Sequence, residues 1–294
     1  MPRGPSVERR PGRFPGAIAV RAFPPAARAA PARGDPIPAR RVTSFLSSRR
    51  RIMLSATPIA NRCVVGRMFA MSREFAFLFD LDGTLVDSVY QHVLAWKTAL
   101  RAENIDLSVW RIHRRVGMSG GLFTEILLRE TRLDLTPELH ERLRARHAEA
   151  YRALGDDVTP LPGALELLTH LRRNAIPWAI ATSGRIETAK INLDALGVDT
   201  SEVPVVTRDQ VKYAKPDPDL FLEAARRLGV SIETCFVVGD AIWDMLAARR
   251  ARALGVGLLS GGYGADELER AGAMRVFEDP ADLLARIDEI GARV

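Results

Sequence analysis

Two aspartates, Asp80 and Asp82, stand one residue apart in DLDGT (80–84), directly after the apolar run FAFLF (75–79). Side chains at i and i+2 of an extended chain share a side, so both carboxylates can face one site. Gly83 lets the backbone turn immediately after them. One carboxylate of such a pair can attack phosphorus and form an acyl phosphate. The other can protonate a leaving alcohol and later deprotonate an attacking water. A strand that merely ends in acidic turn residues accounts for one aspartate but poorly for the whole run.

Further along, VVGDAIWD (237–244) supplies Asp240 and Asp244. Carboxylates gathered near Asp80 repel one another unless a hard cation lies among them, and Mg²⁺ takes few carboxylates plus water and phosphate oxygens. The simpler role for Asp240 is to cap the helix that begins near Ile242. Thr182, in AIATSG (179–184), can donate a hydrogen bond to a phosphoryl oxygen. The N–H groups near Ser183 and Gly184 open a helix and favour an anion, although an ordinary helix cap is the plainer role for Thr182. Lys215, in YAKPD (213–217), is one of four lysines in an arginine-rich chain. Its compact ammonium can neutralise both nucleophile and phosphate, or it can be a solvated loop lysine.

The elements that must hold these residues are legible from periodicity. FAFLF reads as a buried parallel strand ending at Asp80. Residues 88–153 read as helices with apolar positions three and four apart, as in VYQHVLAWKTAL, GLFTEILLRE and PELHERLRARHAEAYRAL. ALELLTHLRR is a helix and IPWAIAT a strand; helices follow at roughly 185–195 and 217–228, separated by VPVVTRDQVKYAKPD. CFVVGD is a strand leading to the helix IWDMLAARRAR, ALGVGLL comes next, and PADLLARIDEIG closes the chain. Alternating strands and helices predict an α/β fold, a Rossmann-like parallel sheet with helices on both faces. The helical stretch after the first strand is expected to be an inserted all-helical cap. The expected division is 1–73 as an N-terminal extension, 74–87 and 160–294 as the core, and 88–159 as the cap. Ligands of open parallel sheets bind beyond the carboxyl ends of the strands, where Asp80, Asp82, Thr182 and Asp240 fall.

The net charge of +6 over 294 residues misleads until it is located. Residues 1–73 hold 15 Arg against Glu8 and Asp35, a net +13, whereas 74–294 carry −7. Residues 1–50 are rich in Pro, Arg, Ala and Gly, keep no period, and are expected to be disordered. The favoured reading is translated upstream sequence with the genuine start at Met68 or Met71. An arginine-rich organellar presequence and a basic nucleic-acid-binding arm are the alternatives. The body's acidity disfavours nucleic acid as a partner. Cys63 and Cys235 make no disulfide framework or thiolate cluster. No stretch has the length of an apolar membrane span, so a cytoplasmic setting is expected.

DLDGTLVDS, ATSG, AKPDPD and VGDAIWD, in this order over about 74–290, resemble the four motifs of the haloacid dehalogenase superfamily. The resemblance implies a Rossmann-like core with a helical cap, Mg²⁺ dependence and an aspartyl-phosphate intermediate. It implies Asp80 as nucleophile and metal ligand, and Asp82 as acid–base that also gives its backbone carbonyl to the metal. Thr182 and Lys215 would hold the phosphoryl group, with Ser183 and Gly184 beside them. Asp240 would ligate the metal, and Asp244 would do so through water or support the ligands from behind.

Dehalogenating members lack the second aspartate, so Asp82 argues for phosphoryl transfer. Lys97, the lone cap lysine, fits no Schiff-base signature. DSVYQHVLAWKTAL resembles the β-phosphoglucomutase branch, including His92 and Trp96. That branch carries an arginine for a second phosphate where this chain has Gly120, in GMSGG (117–121), although Arg114 or Arg115 could compensate. Within the cap, His92, Gly117 and Ser119 are the candidate substrate contacts, whereas Trp243 is expected in the core. Ala241 replaces a serine or threonine of many relatives, and SGGYG (260–264) is a glycine-rich connection. The expected activity is Mg²⁺-dependent hydrolysis of a small phosphorylated metabolite, phosphoglycolate or a sugar phosphate, by a monomer or homodimer. A phosphomutase and a non-catalytic phosphate- or nucleic-acid-binding protein are the alternatives.

Overall fold

The computed structural model describes residues 75–131 and 136–292, so the expectations for residues 1–73 lie outside it. From the first strand, β1 (Ala76–Phe79), the chain passes through DLDGT to β2 (Val86–Asp87). Four helices follow, α1 (Val89–Ala102), α2 (Val109–His113), α3 (Gly120–Thr131) and α4 (Pro137–Arg152), before β3 (Thr159–Pro160). β2 and β3 pair antiparallel, so the chain leaves for the helices and returns from them through one two-residue ribbon. Then come α5 (Ala164–Arg173), β4 (Trp178–Ala181), α6 (Ile186–Leu196), β5 (Val205–Val206) and α7 (Asp219–Leu228). The order continues with β6 (Cys235–Gly239), α8 (Ile242–Ala251), β7 (Leu254–Leu258), α9 (Ala265–Ala271), β8 (Ala273–Phe277) and α10 (Pro280–Ala285).

Six strands form a sheet in the order β5-β4-β1-β6-β7-β8, with every neighbouring pair parallel. The period of two along each strand builds two cores. Phe77, Phe79, Ile180 and Val238 pack on one face with Leu167 and Leu171 of α5 and Leu193 of α6. Ala76, Leu78, Ala179 and Val237 pack on the other with Leu220 and Phe221 of α7 and Ala247 of α8. Burial of each such leucine or phenylalanine contributes about 1.5–3 kcal/mol, which is why β1, β4 and β6 read as unbroken apolar runs. The inserted helices have an apolar cluster of their own, centred on Trp96, Leu100, Ile112, Phe123 and Leu143. Trp243 bridges that cluster to the one around Met245 and Tyr263.

Three elements depart from the expectation. VPVV falls in the expected connection between two helices, yet Val205 and Val206 pair with β4; two residues are too few to show a period. β8 and α9 were not anticipated, and β8 lies at the sheet edge with Met274 and Arg275 exposed, so it lacks a continuous apolar run. At the chain's end α10 stops at Ala285 and a separate 3-10 turn covers Ile287–Ile290. No helix among the described residues is long and apolar enough to cross a membrane.

Candidate active site

Asp80 follows the last residue of β1, and its N–H donates to Val238 O of the neighbouring β6 at 2.9 Å. The adjacent strand ends therefore bring Asp80 and Asp240 together from positions 160 residues apart. Asp80, Asp240 and Asp244 are all buried, and one oxygen from each falls within a 4.8 Å group. Gly83, at φ +79°, turns the chain past this group; a Cβ there would lie 2.7 Å from Asp240 Oδ2. Gly261, from the turn after β7, comes closer still, with a hypothetical Cβ 1.7 Å from the same oxygen. Only glycine permits both approaches.

Lys215 is 0% exposed and inserts its Nζ between Asp80 Oδ1 and Asp244 Oδ1, the latter at 2.8 Å. Burial alone would lower its pKa, but Asp244 and Asp80 outweigh burial and push it up to about 12, so it is charged. Burial pushes Asp80 up to about 8 despite Lys215, with Asp244 and Asp82 adding to the rise. Burial likewise holds Asp240 well above the usual carboxylate range, and Asp244 and Asp80 reinforce it. Three buried carboxylates against one ammonium leave the group short of positive charge. An all-oxygen donor set in that state suits a hard divalent cation such as Mg²⁺.

Asp240 accepts from Thr84 Oγ1 at 3.0 Å and does not cap α8. Ala241 is the N-cap residue, and Asp244 Oδ2 accepts from its N–H at 3.0 Å. Asp240 is thus left for the cluster, while Asp244 is divided between the helix start and Lys215.

The carboxylate of Asp82 lies outside that group. Its Oδ1 accepts from Ser88 Oγ at 2.7 Å, faces His92 Nε2 at 2.9 Å and accepts from Asn192 Nδ2 at 2.5 Å. Thr182 Oγ1 reaches Oδ2 at 3.4 Å. Burial raises its pKa, but His92 and Ser88 outweigh burial and hold it below the ordinary value. The Thr182 hydroxyl also accepts from Gly184 N–H at 2.9 Å. Thr182 does not cap the following helix, and Ser183 and Gly184 do not open it. α6 begins at Ile186, whose N–H is taken by Asp209 at 3.0 Å. The Ser183 hydroxyl has no hydrogen-bond partner in the structure.

Asp80, Asp82, Thr182, Ser183 and Gly184 line one side of a cavity of about 170 Å³. The helical insertion lines the other, through His92, Trp96, Gly117, Phe123, His140 and His147. Gly117 and His92 both line the cavity, and both ring nitrogens of His92 are engaged by protein groups. Ser119 donates its N–H to Lys215 O at 3.1 Å and its Oγ accepts from Leu122 N–H, which ties the start of α3 to the lysine loop. Arg114 is held by Glu267 and Arg115 by Glu130. Lys97 is spent on Asp106 at 2.5 Å, where it joins α1 to the loop before α2. Thr84, Asn192, His147 and Tyr151 were not singled out in the sequence. Thr84 belongs to DLDGT, but Asn192, in the middle of α6, carries no local signal of reaching Asp82.

A family model described as haloacid dehalogenase-like hydrolase matches residues 76–252. The chain is 37% identical over 177 residues to hexitol phosphatase A of Escherichia coli (strain K12), covering 60% of this chain and 78% of that protein. It is 34% identical over 195 residues to beta-phosphoglucomutase of Bacillus subtilis (strain 168), covering 63% and 84%. The crystal structure of a hydrolase from Pseudomonas syringae superposes with a TM-score of 0.72 at 61% identity, covering 73% of this chain and 98% of that one.

Proposed function

The chain belongs to the haloacid dehalogenase-like hydrolases, and from that premise we propose that it hydrolyses a small phosphomonoester in two steps through a phosphorylated Asp80. It is a phosphohydrolase of small phosphate esters; the nucleophile, the metal and the leaving group are the matter of the proposal. The observation that carries it is the division of labour between two aspartates of one turn. Asp80 Oδ1 is paired with a buried ammonium, while Asp82 Oδ1 is tied by Ser88, His92 and Asn192.

In the first step an Asp80 oxygen attacks phosphorus and the P–O bond to the leaving group breaks. Asp82 delivers a proton to the departing oxygen. In the second step Asp82 takes a proton from water, the water oxygen attacks phosphorus, and phosphate leaves as the Asp80 carboxylate is restored. Thr182, the free Ser183 hydroxyl and Lys215 bind and neutralise the phosphoryl oxygens. Asp80, Asp240, the backbone carbonyl of Asp82 and, less directly, Asp244 would hold Mg²⁺, which supplies positive charge to the phosphoryl group when bound. Helices α1–α4 act as the cap, closing the cavity over the reacting atoms and excluding bulk water.

The named activity of the E. coli relative favours a sugar or sugar-alcohol phosphate, with phosphoglycolate as the smaller alternative. A mutase must grip a second phosphate. Gly120 offers no side chain for that, and Arg114 and Arg115 are already paired with Glu267 and Glu130. Phosphate release from a panel of sugar phosphates, alditol phosphates and phosphoglycolate, with Mg²⁺ and with a chelator, tests the reading. Metal-dependent release supports it. A folded sample that releases nothing from the panel contradicts it.

A further inference from the structure

Asp82 is held by two groups that are themselves held from behind, and both supports come from α4. His92 presents Nε2 to Asp82 at 2.9 Å and Nδ1 to His147 Nε2 at 3.1 Å. Asn192 donates to Asp82 at 2.5 Å and accepts from the Tyr151 hydroxyl at 2.6 Å. His147 and Tyr151 are four residues apart and lie on one face of α4. The His147 ring stacks on Trp96 at 4.2 Å, and His92 stacks on Tyr151 at 3.9 Å. Each imidazole is packed against a neighbouring aromatic ring, which limits its freedom to turn. His147 also faces the cavity.

We propose that His147 is a positioning residue for the acid–base step. Its Nε2 hydrogen, donated to His92 Nδ1, keeps the His92 hydrogen on Nε2, where it aims the Asp82 carboxylate at the leaving-group oxygen. A carboxylate can only accept, so the hydrogen between His92 and Asp82 belongs to Nε2. In the neutral imidazole the other ring nitrogen of His92 is then an acceptor, and His147, 3.1 Å away, is the donor placed to satisfy it. The chain His147–His92–Asp82 makes the acid–base group depend on where α4 sits. This inference rests on the phosphohydrolase reading above.

General acid help matters for an alkyl phosphate, whose alkoxide leaves poorly, and little for p-nitrophenyl phosphate, whose phenolate leaves unaided. The test is kcat/KM of the full chain and its His147 variants on both substrates, because kcat/KM covers the step in which the leaving group departs. His147→Phe keeps a flat ring but loses the donor. It should lower kcat/KM on a sugar phosphate by at least about 10-fold, part of the roughly 10²–10⁴ that acid–base help contributes. On p-nitrophenyl phosphate the same variant should change less than about 3-fold. His147→Gln, whose amide can still donate to His92, should recover most of the loss. His147→Asn, too short to reach, should behave as the phenylalanine variant and replaces it if that variant does not fold. Equal losses on both substrates, or a folded glutamine variant as impaired as the asparagine one, would overturn the proposal. An unsubstituted chain that releases phosphate from neither substrate would instead remove the phosphohydrolase reading on which the proposal stands.

Discussion

Lys215 and Asp244 meet at 2.8 Å with both side chains fully buried, and the same ammonium also contacts Asp80. One cation thus joins the proposed nucleophile to the first turn of α8. Removing one partner of a buried pair leaves the other charge uncompensated and costs about 3–5 kcal/mol. Lys215→Met should therefore be destabilised by about that amount in chelator, measured by urea unfolding. Mg²⁺ should restore part of the loss, because a second cation then serves the same carboxylates. Equal stability of variant and parent in chelator would show that the ammonium is not what balances the cluster.

Gly261 is the second place where the cluster can be disturbed without touching a ligand. A Cβ there would fall 1.7 Å from Asp240 Oδ2, so the carboxylate or the turn must move. Gly261→Ala should weaken Mg²⁺ binding by about 10–100-fold, the range seen when the surroundings of a ligand are altered. The Mg²⁺ dependence of thermal stability reads this directly. An unchanged dependence would show that Asp240 is not a ligand.

Much of this arrangement was legible in the sequence. DLDGT, VGDAIWD and the apolar strands before them gave the sheet, its parallel sense and three of the carboxylates, because strand ends with fixed registers converge on one edge. Asp82 was legible as an acid–base group, but its keepers were not. Ser88 is six residues away, whereas Asn192 is 110 and lies within a helix, and His147 is reached only through His92. Such contacts depend on how α4 and α6 pack, which no short-range period encodes. β5 and β8 escaped for a different reason: one is two residues long and the other is half exposed at the edge.

Gly120 opens α3 at the cavity wall, and a Cβ there meets only Trp96 at 3.9 Å, an ordinary contact. A side chain can therefore start there without a clash at its Cβ. Gly120→Arg should improve kcat/KM for a sugar bisphosphate relative to the matching monophosphate by about tenfold, equivalent to about 1.4 kcal/mol of added phosphate binding. A ratio unchanged by the substitution would show that this end of the cavity does not contact the distal part of the substrate.

Cys235 is fully buried at the start of β6, and burial pushes its thiol up to about 11. A raised thiol pKa means less thiolate at mildly alkaline pH, and the thiolate is the reacting form. In a Cys63→Ser chain, an aromatic disulfide reagent at mildly alkaline pH should modify Cys235 only as the protein unfolds. Rapid stoichiometric modification of the folded protein would contradict the packing described for β6.

The central claim is that Asp80 carries the phosphoryl group between substrate and water. The most direct measurement is acid quench of the Mg²⁺-loaded enzyme during turnover of a substrate labelled in its phosphoryl group, followed by peptide mapping. The account predicts a hydroxylamine-sensitive label on the peptide containing Asp80, absent from Asp80→Asn, which should fold normally and not turn over. Label on a histidine or serine instead, or sustained turnover by a clean preparation of Asp80→Asn, would contradict it.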